Sequence, residues 1–161
     1  MIGHARPADH AAIAQVTRAA FGQPAEAELV DRLRADGDVV FELVASDAGT
    51  VVGHILFSRL WADSQELYVA MAPVSVHPNV QRTGVGSRLV RRGLEVAREL
   101  GAYAVLVLGD PAYYSRFGFT AQAAARVKAP YAGSPAFMGL ALEPGALDRP
   151  LLVAYPGAFS A

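Results

Sequence analysis

The middle of the sequence contains four segments whose order limits the folds that the chain can adopt. An apolar run over residues 66–78, broken by Pro73, is followed by a turn with two spaced glycines. Residues 85–100 then repeat apolar side chains at close to helical period, and residues 102–109 form a second, unbroken apolar run. The order strand, loop, helix, strand predicts a right-handed crossover between two parallel strands. A proline inside the first strand indicates an edge, a bulge or a break in pairing.

Predicted elements on both sides of this crossover complete one α/β domain over residues 1–161. They are a strand over 1–5, helices over 7–21 and 25–37, a hairpin of strands over 39–46 and 49–61, a helical turn over 111–117, and one or two strands within 136–159. Residues 121–134 receive no assignment, and no repeat or linker divides the chain. This order of elements favours helices that cover a mixed sheet.

Composition and charge exclude several classes of protein. The chain carries 14 basic and 15 acidic side chains, so we expect neither nucleic acid nor an anionic membrane as a partner. The absence of cysteine excludes disulfides, thiolate metal sites and a covalent cysteine intermediate. The four histidines lack ligand spacing with carboxylates, so we expect no metal. Since the N-terminus lacks a signal-peptide pattern and no apolar run approaches the roughly 20 residues of a membrane span, we expect a cytoplasmic protein.

The glycine turn is the first candidate site. Gly84 and Gly86 let the backbone approach a ligand closely, and the following helix offers unpaired N–H groups and a positive dipole end. That combination binds anions, most often phosphates. A dinucleotide fingerprint requires a third glycine where Leu89 stands, and a P-loop requires a lysine that the turn lacks. Arg82 and Arg88 lie close enough to the turn to assist a phosphate.

Two motifs resemble those of the GCN5-related N-acetyltransferases, the GNAT superfamily. Gln81, Gly84 and Gly86 fit the pattern Gln/Arg-x-x-Gly-x-Gly/Ala, directly after a broken strand and before a helix. Tyr114 and the pair at 118–119 fit a second pattern, Tyr-x-x-x-Gly-Phe. Together with the segments that follow it, this block resembles the YhbS-like subfamily of bacterial N-acetyltransferases, and the resemblance covers nearly the full length.

The resemblance implies the GNAT fold, a mixed and mostly antiparallel sheet flanked by helices, whose parallel strand pair splays at an acetyl-CoA cleft. It implies acetyl-CoA as co-substrate, with its pyrophosphate on the glycine loop and its pantetheine arm along the preceding strand, where a backbone N–H can also stabilise an oxyanion. The residues that it places against the coenzyme are Val74, Ser75, Val76, Gln81, Arg82, Thr83, Gly84, Val85, Gly86, Ser87, Tyr113 and Phe117.

Tyr114 is the candidate catalytic residue that the resemblance implies. The tyrosine of this motif faces the coenzyme sulfur, and a phenol can donate a proton to a departing thiolate. At this spacing a tyrosine can equally pack a helix onto the sheet. Asp110 is best explained as the N-cap of the helical turn that begins at Pro111, which is compatible with a place near the coenzyme.

The general base is not identified by the sequence. Some family members use a glutamate on the strand before the loop, and Ala70 stands at that position here. The carboxylates and imidazole that remain as candidates, or as ordinary surface and strand residues, are Glu66, Asp63, Glu42 and His54. His77 is most simply a turn residue beside Pro78.

These observations predict an enzyme that transfers an acetyl group from acetyl-CoA to a primary amine by direct attack in a ternary complex. The acceptor amine is unidentified, although Phe57, Leu60 and Trp61 indicate either a partly hydrophobic acceptor pocket or ordinary packing. A non-catalytic acyl-CoA-binding sensor with the same fold is the main alternative, and a nucleotide-binding protein of another fold is a third. Since dimers are common in the superfamily, a homodimer through the C-terminal strands is a further expectation.

Overall fold

The computed structural model describes residues 1–160, and Ala161, the last residue of the predicted domain, lies outside the described residues. Its helices and strands are β1 (Ile2–His4), α1 (His10–Phe21), α2 (Ala25–Ala35), β2 (Val39–Asp47), β3 (Thr50–Ala62), β4 (Tyr68–Val76), α3 (Val85–Glu99), β5 (Ala104–Leu108), α4 (Pro111–Tyr114), β6 (Val127–Lys128), β7 (Phe137–Ala141) and β8 (Leu151–Ala154). Within residues 1–160, the structure contains no helix with the length and apolar character that a membrane crossing requires.

The main sheet is mixed and mostly antiparallel. Its strands follow the order β1-β2-β3-β4-β5-β7, in which β4 and β5 run parallel and the other neighbouring pairs run antiparallel. β8 pairs with the end of β3 and also with β6. The chain from β4 through α3 to β5 is the predicted crossover, and the predicted fold class is confirmed.

Helices cover both faces of this sheet. Ile55 and Phe57 of β3 pack in the same buried cluster as the apolar side chains of α3. Leu56, between them, packs instead against Val30 and Leu33 of α2. Because successive side chains of a strand point to opposite faces, α3 covers one face, and α2, together with α1, covers the other. The face covered by α3 is called the α3 face, and the face covered by α1 and α2 is called the α1–α2 face.

Pro73 lies in a β-bulge of β4. Ala72 and Pro73 together oppose the single residue Leu56 of β3, and pairing resumes on both sides of them. A bulge bends its strand and increases the local twist. The prediction of an irregular strand is therefore confirmed, and the irregularity is a bulge.

The start of α1 and the unassigned segment differ most from the predicted elements, whereas the other bounds differ by a few residues. Helix α1 begins at His10, because Pro7–Asp9 form a 3-10 turn in which the Asp9 carboxylate accepts a hydrogen bond from the Arg6 N–H at 2.9 Å. The unassigned residues 121–134 contain a 3-10 turn and the two-residue strand β6. A strand of two residues depends on its partner, which is β8 for β6, and elements this short give no periodic pattern of apolar residues in the sequence.

A methyl group at position 93 tests how tightly α3 packs on the sheet. A Cβ on Gly93 would lie 2.6 Å from Cε1 of Phe57, whose ring is stacked on Phe41 with centroids 4.5 Å apart. Overpacking costs about 1–3 kcal/mol, whereas helix propensity returns about 1 kcal/mol. Because a contact of 2.6 Å with a stacked ring places the cost at the upper end of this range, we expect Gly93→Ala to lower the free energy of unfolding in urea by about 2 kcal/mol.

The control for this measurement is Gly3→Ala, whose Cβ would meet no atom within 4 Å. Its free energy of unfolding should stay within about 0.5 kcal/mol of the original protein. Equal stability of the two variants would show that the contact between α3 and Phe57 is loose.

Candidate active site

A cleft opens where β4 and β5 stop pairing. Their parallel pairing covers three positions and ends at Ala70, opposite Leu106. Beyond that point β5 remains paired with β7, and Met71–Val76 of β4 remain paired with β3. The other edge of Met71–Val76 therefore carries backbone N–H and C=O groups that pair with no strand among residues 1–160. Such groups are strong hydrogen-bonding partners for an extended ligand.

The N-terminus of α3 lies at the far end of this edge. Gly84 caps the helix in a left-handed conformation, with φ of 93° and no side-chain cap. The N–H groups of the first turn consequently have no partner within the helix. The Gln81 side chain donates a hydrogen bond to the Val76 carbonyl at 3.0 Å, which fixes the loop to the end of β4. The predicted anion site is thus placed next to the unpaired edge.

A cavity of about 420 Å³ lies in front of this helix end. It is lined by Arg82, Gly84, Gly86, Ser87, Tyr113 and Arg116. The Tyr113 hydroxyl lies 3.3 Å from the Ser87 hydroxyl, and the Arg116 guanidinium stacks 4.6 Å from the centre of the Tyr113 ring. Two cations and the positive end of a helix therefore surround one cavity.

Arg116 was missed by the sequence reasoning. Its position in the helical turn after Tyr113 gave a usable signal, since one turn of helix brings residues three apart to the same side.

Tyr114 lies next to the cleft, and its ring packs closely on the backbone of Gly109. A Cβ on Gly109 would lie 2.5 Å from Cε2 of the Tyr114 ring, so only glycine leaves room for the tyrosine at that position. Burial, with smaller contributions from Tyr113 and Asp110, raises the pKa of Tyr114 to about 12. The phenol therefore keeps its proton at neutral pH. Asp110 is the predicted N-cap, and its carboxylate accepts a hydrogen bond from the Ala112 N–H at 3.0 Å.

The other predicted coenzyme residues occupy different surroundings. Val74 and Val76 are half-buried on the α3 face, whereas Ser75 is fully buried on the α1–α2 face. The Thr83 hydroxyl donates to the Val80 carbonyl within the loop. Val85, the first residue of α3, is buried, and Phe117 stacks edge-on against Tyr113 with centroids 5.3 Å apart. The structure thus gathers the loop and Tyr113 around one cavity. The side chains of Ser75 and Val85 are buried, and that of Thr83 is exposed and bonded within the loop.

Comparison with known proteins gives the family. The model of the acetyltransferase (GNAT) family matches residues 10–119 of the chain. The chain belongs to this family.

Individual relatives support this assignment. The chain is similar to the uncharacterised N-acetyltransferase YhbS of Escherichia coli K12, at 43% identity over 115 residues that cover 70% of this chain and 69% of YhbS. A solved structure of Escherichia coli YhbS in complex with CoA superposes with a TM-score of 0.92 at 37% identity, covering 100% of this chain and 92% of that one. A GNAT acetyltransferase from Brucella melitensis in complex with acetyl-CoA superposes with a TM-score of 0.84 at 38% identity, covering 99% and 97%.

Two of the candidate bases lie away from the cleft of this acetyltransferase. Asp63 and Glu66 are exposed in the loop before β4, at the opposite end of that strand from the glycine loop. Asp63 accepts a hydrogen bond from the Leu152 N–H at 3.1 Å, and Glu66 is hydrogen-bonded to Ser64. Both carboxylates are occupied by local contacts, so neither is placed to take a proton from a substrate in the cleft.

The other two candidate bases form a buried pair that connects α2 to the sheet. Glu42 accepts hydrogen bonds from Arg34 at 2.8 and 2.9 Å and lies 2.8 Å from Nε2 of His54. Burial opposes the charge on Glu42, but His54 and Arg34 outweigh it and lower the pKa of Glu42 to about 2. Burial also lowers the pKa of His54, which is therefore neutral at neutral pH. Glu42 is too weak a base and His54 too buried to deprotonate a substrate.

Of the two alternatives for Phe57, Leu60 and Trp61, the structure favours ordinary packing over a shared hydrophobic pocket. Phe57 is fully buried under α3, and Leu60 belongs to a buried cluster on the other face. Trp61 is 46% exposed and is stacked by Arg59. Their nearness in sequence does not bring these side chains together, because alternate strand residues point to opposite faces.

The buried Glu42 pair makes stability depend on pH. The pKa of Glu42 in the folded protein is about 2, below its ordinary value of 4.5. The unfolded chain therefore binds more protons as the pH falls, so the stabilisation is complete above pH 4.5 and is lost as the pH falls towards 2. We expect Glu42→Gln to lower the free energy of unfolding by about 2–3 kcal/mol at pH 7, and the deficit to shrink between pH 4.5 and about 2.5.

Urea denaturation at several pH values measures this deficit. Glu95→Gln is the control, because Glu95 is 61% exposed and pairs only with Arg92 and solvent on the surface of α3. That variant should stay within about 0.5 kcal/mol of the original protein at every pH. A Glu42→Gln deficit that is the same at pH 7 and at about pH 2.5 would refute a charged Glu42 in the folded state.

Proposed function

We propose that residues 1–161 form a single N-acetyltransferase domain that transfers the acetyl group of acetyl-CoA to a primary amine. The observation that carries this proposal is the unpaired edge of Met71–Val76, which leads directly to the open N-terminus of α3. An amide-rich arm attached to a pyrophosphate matches that arrangement at both ends. The CoA and acetyl-CoA complexes of the two similar structures support the same coenzyme here.

The phosphates bind at the glycine loop in this proposal. The N–H groups of Val85, Gly86 and Ser87 point out of the first turn of α3, where the helix dipole favours an anion. Arg82 and Arg116 supply positive charge on the two sides of the cavity. The Tyr113 hydroxyl, beside Ser87, donates a further hydrogen bond.

The pantetheine arm binds as an added strand. Its amides pair with the free backbone edge at Val74 and Val76, because Ser75 between them turns its backbone groups toward β3. The side chains of these three residues serve only to hold the strand. The arm then runs along β4 towards Ala70, where β4 and β5 separate. This course brings the thioester to the inner end of the cleft and leaves the carbonyl oxygen near backbone N–H groups of β4, which stabilise developing negative charge.

The chemical step is a direct attack by the amine nitrogen on the thioester carbonyl. A C–N bond forms, the C–S bond breaks, and the CoA thiolate leaves. Tyr114 donates its proton to the sulfur and regains one from solvent, while the proton lost by the nitrogen passes to water. Direct attack needs no acyl-enzyme, in agreement with a chain that has no cysteine.

Calorimetric titration with acetyl-CoA tests the coenzyme site. We expect the protein to bind acetyl-CoA at least about tenfold more tightly than ATP or NAD.

We expect Gly86→Ala to weaken acetyl-CoA binding about tenfold or more, because its Cβ would lie 3.1 Å from the Tyr113 hydroxyl and 3.4 Å from Val76 Cγ2. Gly86 and Tyr113 border the cavity in front of α3, which is called the phosphate cavity below. Gly157→Ala, whose Cβ would meet nothing within 4 Å, should bind normally. Equal affinity for acetyl-CoA, ATP and NAD would refute acetyl-CoA as the specific ligand of this site.

Replacing Tyr114 with phenylalanine tests the acid. We expect kcat to fall about 100-fold or more, because the thiolate leaves without a proton donor, while the Kd of acetyl-CoA stays unchanged. Since the pKa of Tyr114 is about 12, kcat of the original enzyme should not decline between neutral pH and about pH 10. Tyr103→Phe, which removes a hydroxyl on the other face, is the control.

The same variant separates the enzyme from an acyl-CoA sensor. A sensor would bind acetyl-CoA, show no amine-dependent release of CoA, and respond alike to both tyrosine substitutions. Full activity of Tyr114→Phe would assign the tyrosine to packing and leave the acid unidentified.

A further inference from the structure

The two faces of the sheet separate the coenzyme from the acceptor. Val105 and Val107 of β5 pack on the α3 face, whereas Ala70 and Leu106 belong to a buried cluster on the α1–α2 face. The phosphate cavity lies at the N-terminus of α3. A coenzyme that enters there fills the cleft from its own side, so the amine must reach the thioester from the α1–α2 face.

Four aromatic side chains form a row on that face: Tyr131, Phe137, Tyr155 and Phe159. Ring centroids are 6.3 Å apart between Tyr131 and Phe137, 5.1 Å between Tyr131 and Tyr155, and 5.5 Å between Tyr155 and Phe159. Phe137 is buried, and the other three rings are only half-buried. This aromatic row therefore presents apolar ring surface at the outer side of the sheet.

The aromatic row lies over the inner end of the cleft. Phe137 belongs to the same buried cluster as Ala70 and Leu106, and Tyr131 and Tyr155 pack against that cluster. Ala70 and Leu106 are also the last pair of the parallel ladder. The half-buried rings of Tyr131 and Tyr155 therefore pack on the same cluster as the end of the ladder, where the proposed course of the coenzyme arm ends.

Two more side chains on this face suit a ligand with one polar and one apolar end. Leu108, which pairs with Phe137, is 48% exposed although it is apolar. Ser58 pairs with Ala70 across β3 and β4, so it lies on the same face. The Ser58 hydroxyl is fully buried and has no hydrogen-bond partner among the described residues. A buried hydroxyl gains most from a polar group that reaches it, such as an amine nitrogen.

The row is also open to solvent at one end. Phe159 and Ala158 line a cavity of about 430 Å³ together with Leu29, and Glu26, Glu28 and Arg32 are among its other lining residues. An amine that arrives as a cation meets carboxylates at this opening, which attract its ammonium group, and its apolar body finds ring surface beyond them.

We propose that the aromatic row is the acceptor site and that it selects a primary amine with an aromatic or extended apolar body. The proposal rests on the proposed acetyl transfer and adds the substrate class to it. The body lies along Tyr131, Tyr155 and Phe159, and the nitrogen points to Ser58 and the thioester. Amines without an apolar body leave the rings uncovered and bind weakly.

Steady-state kinetics with 2-phenylethylamine and ethylamine test this selection in the original enzyme. The two amines present the same aliphatic nitrogen and differ by the phenyl ring. Burying that ring should raise kcat/KM for 2-phenylethylamine about 10- to 100-fold over ethylamine. Phe159→Leu should reduce this preference about tenfold, mainly through KM, with the Kd of acetyl-CoA unchanged. Tyr155→Ala should abolish the preference, and Phe159→Leu remains informative should Tyr155→Ala fail to fold.

Trp61→Ala is the matched control, because Trp61 is an exposed aromatic residue outside the row and its loss should leave the preference intact. Equal kcat/KM for both amines, or turnover of polyamines in preference to 2-phenylethylamine, would overturn the acceptor class while the acetyl transfer stands. An unaltered preference in Phe159→Leu and Tyr155→Ala would overturn the site. Absence of acetyl-CoA binding would overturn this inference together with the proposed function.

Discussion

The parallel ladder between β4 and β5 is only three residues long, and the arrangement of the site follows from where it ends. A longer ladder would satisfy the backbone of Met71–Val76 internally and would leave no cleft. The bulge at Ala72 and Pro73 bends β4 just beyond the last paired residue, Ala70. Since unpaired backbone groups away from water are costly, the exposed edge needs a ligand or solvent to complete it. In the proposed complex, the polar and extended arm of the coenzyme completes this edge through backbone groups alone.

Close packing on both sides of the cleft keeps this geometry fixed. Gly93 lets α3 lie directly on Phe57, which sets the height of the helix N-terminus above the sheet. Gly109 does the same for Tyr114, whose ring lies against the backbone at the end of β5. Each glycine is needed for the space it leaves free, so α3 and the Tyr114 ring are both positioned by close contacts that a Cβ would prevent. The buried Arg34, Glu42 and His54 group fixes α2 to the sheet.

The crossover, the bulged strand and the glycine loop could be predicted because each leaves a local mark in the sequence. Pro73 and the spaced glycines act within a few residues, and the period of α3 runs for four turns. The aromatic row left no such mark, since its four rings come from segments separated by up to 28 residues and partly from the unassigned stretch. Likewise, no sequence pattern pairs Glu42 with His54, because strand register alone brings them together on one face. Local rules therefore predicted the coenzyme side better than the acceptor side.

The aromatic row explains why Ala70 can stand where some family members have a glutamate. A carboxylate next to the thioester would hold an approaching ammonium in its charged form, because an opposite charge raises the pKa of the amine. Apolar and aromatic surroundings act in the opposite sense, since desolvation lowers the pKa of an ammonium and favours loss of its proton to water. With Ala70 at the end of the ladder and rings beside it, the acceptor site itself makes the neutral amine available. A general base then becomes unnecessary for an acceptor whose apolar body provides the binding energy.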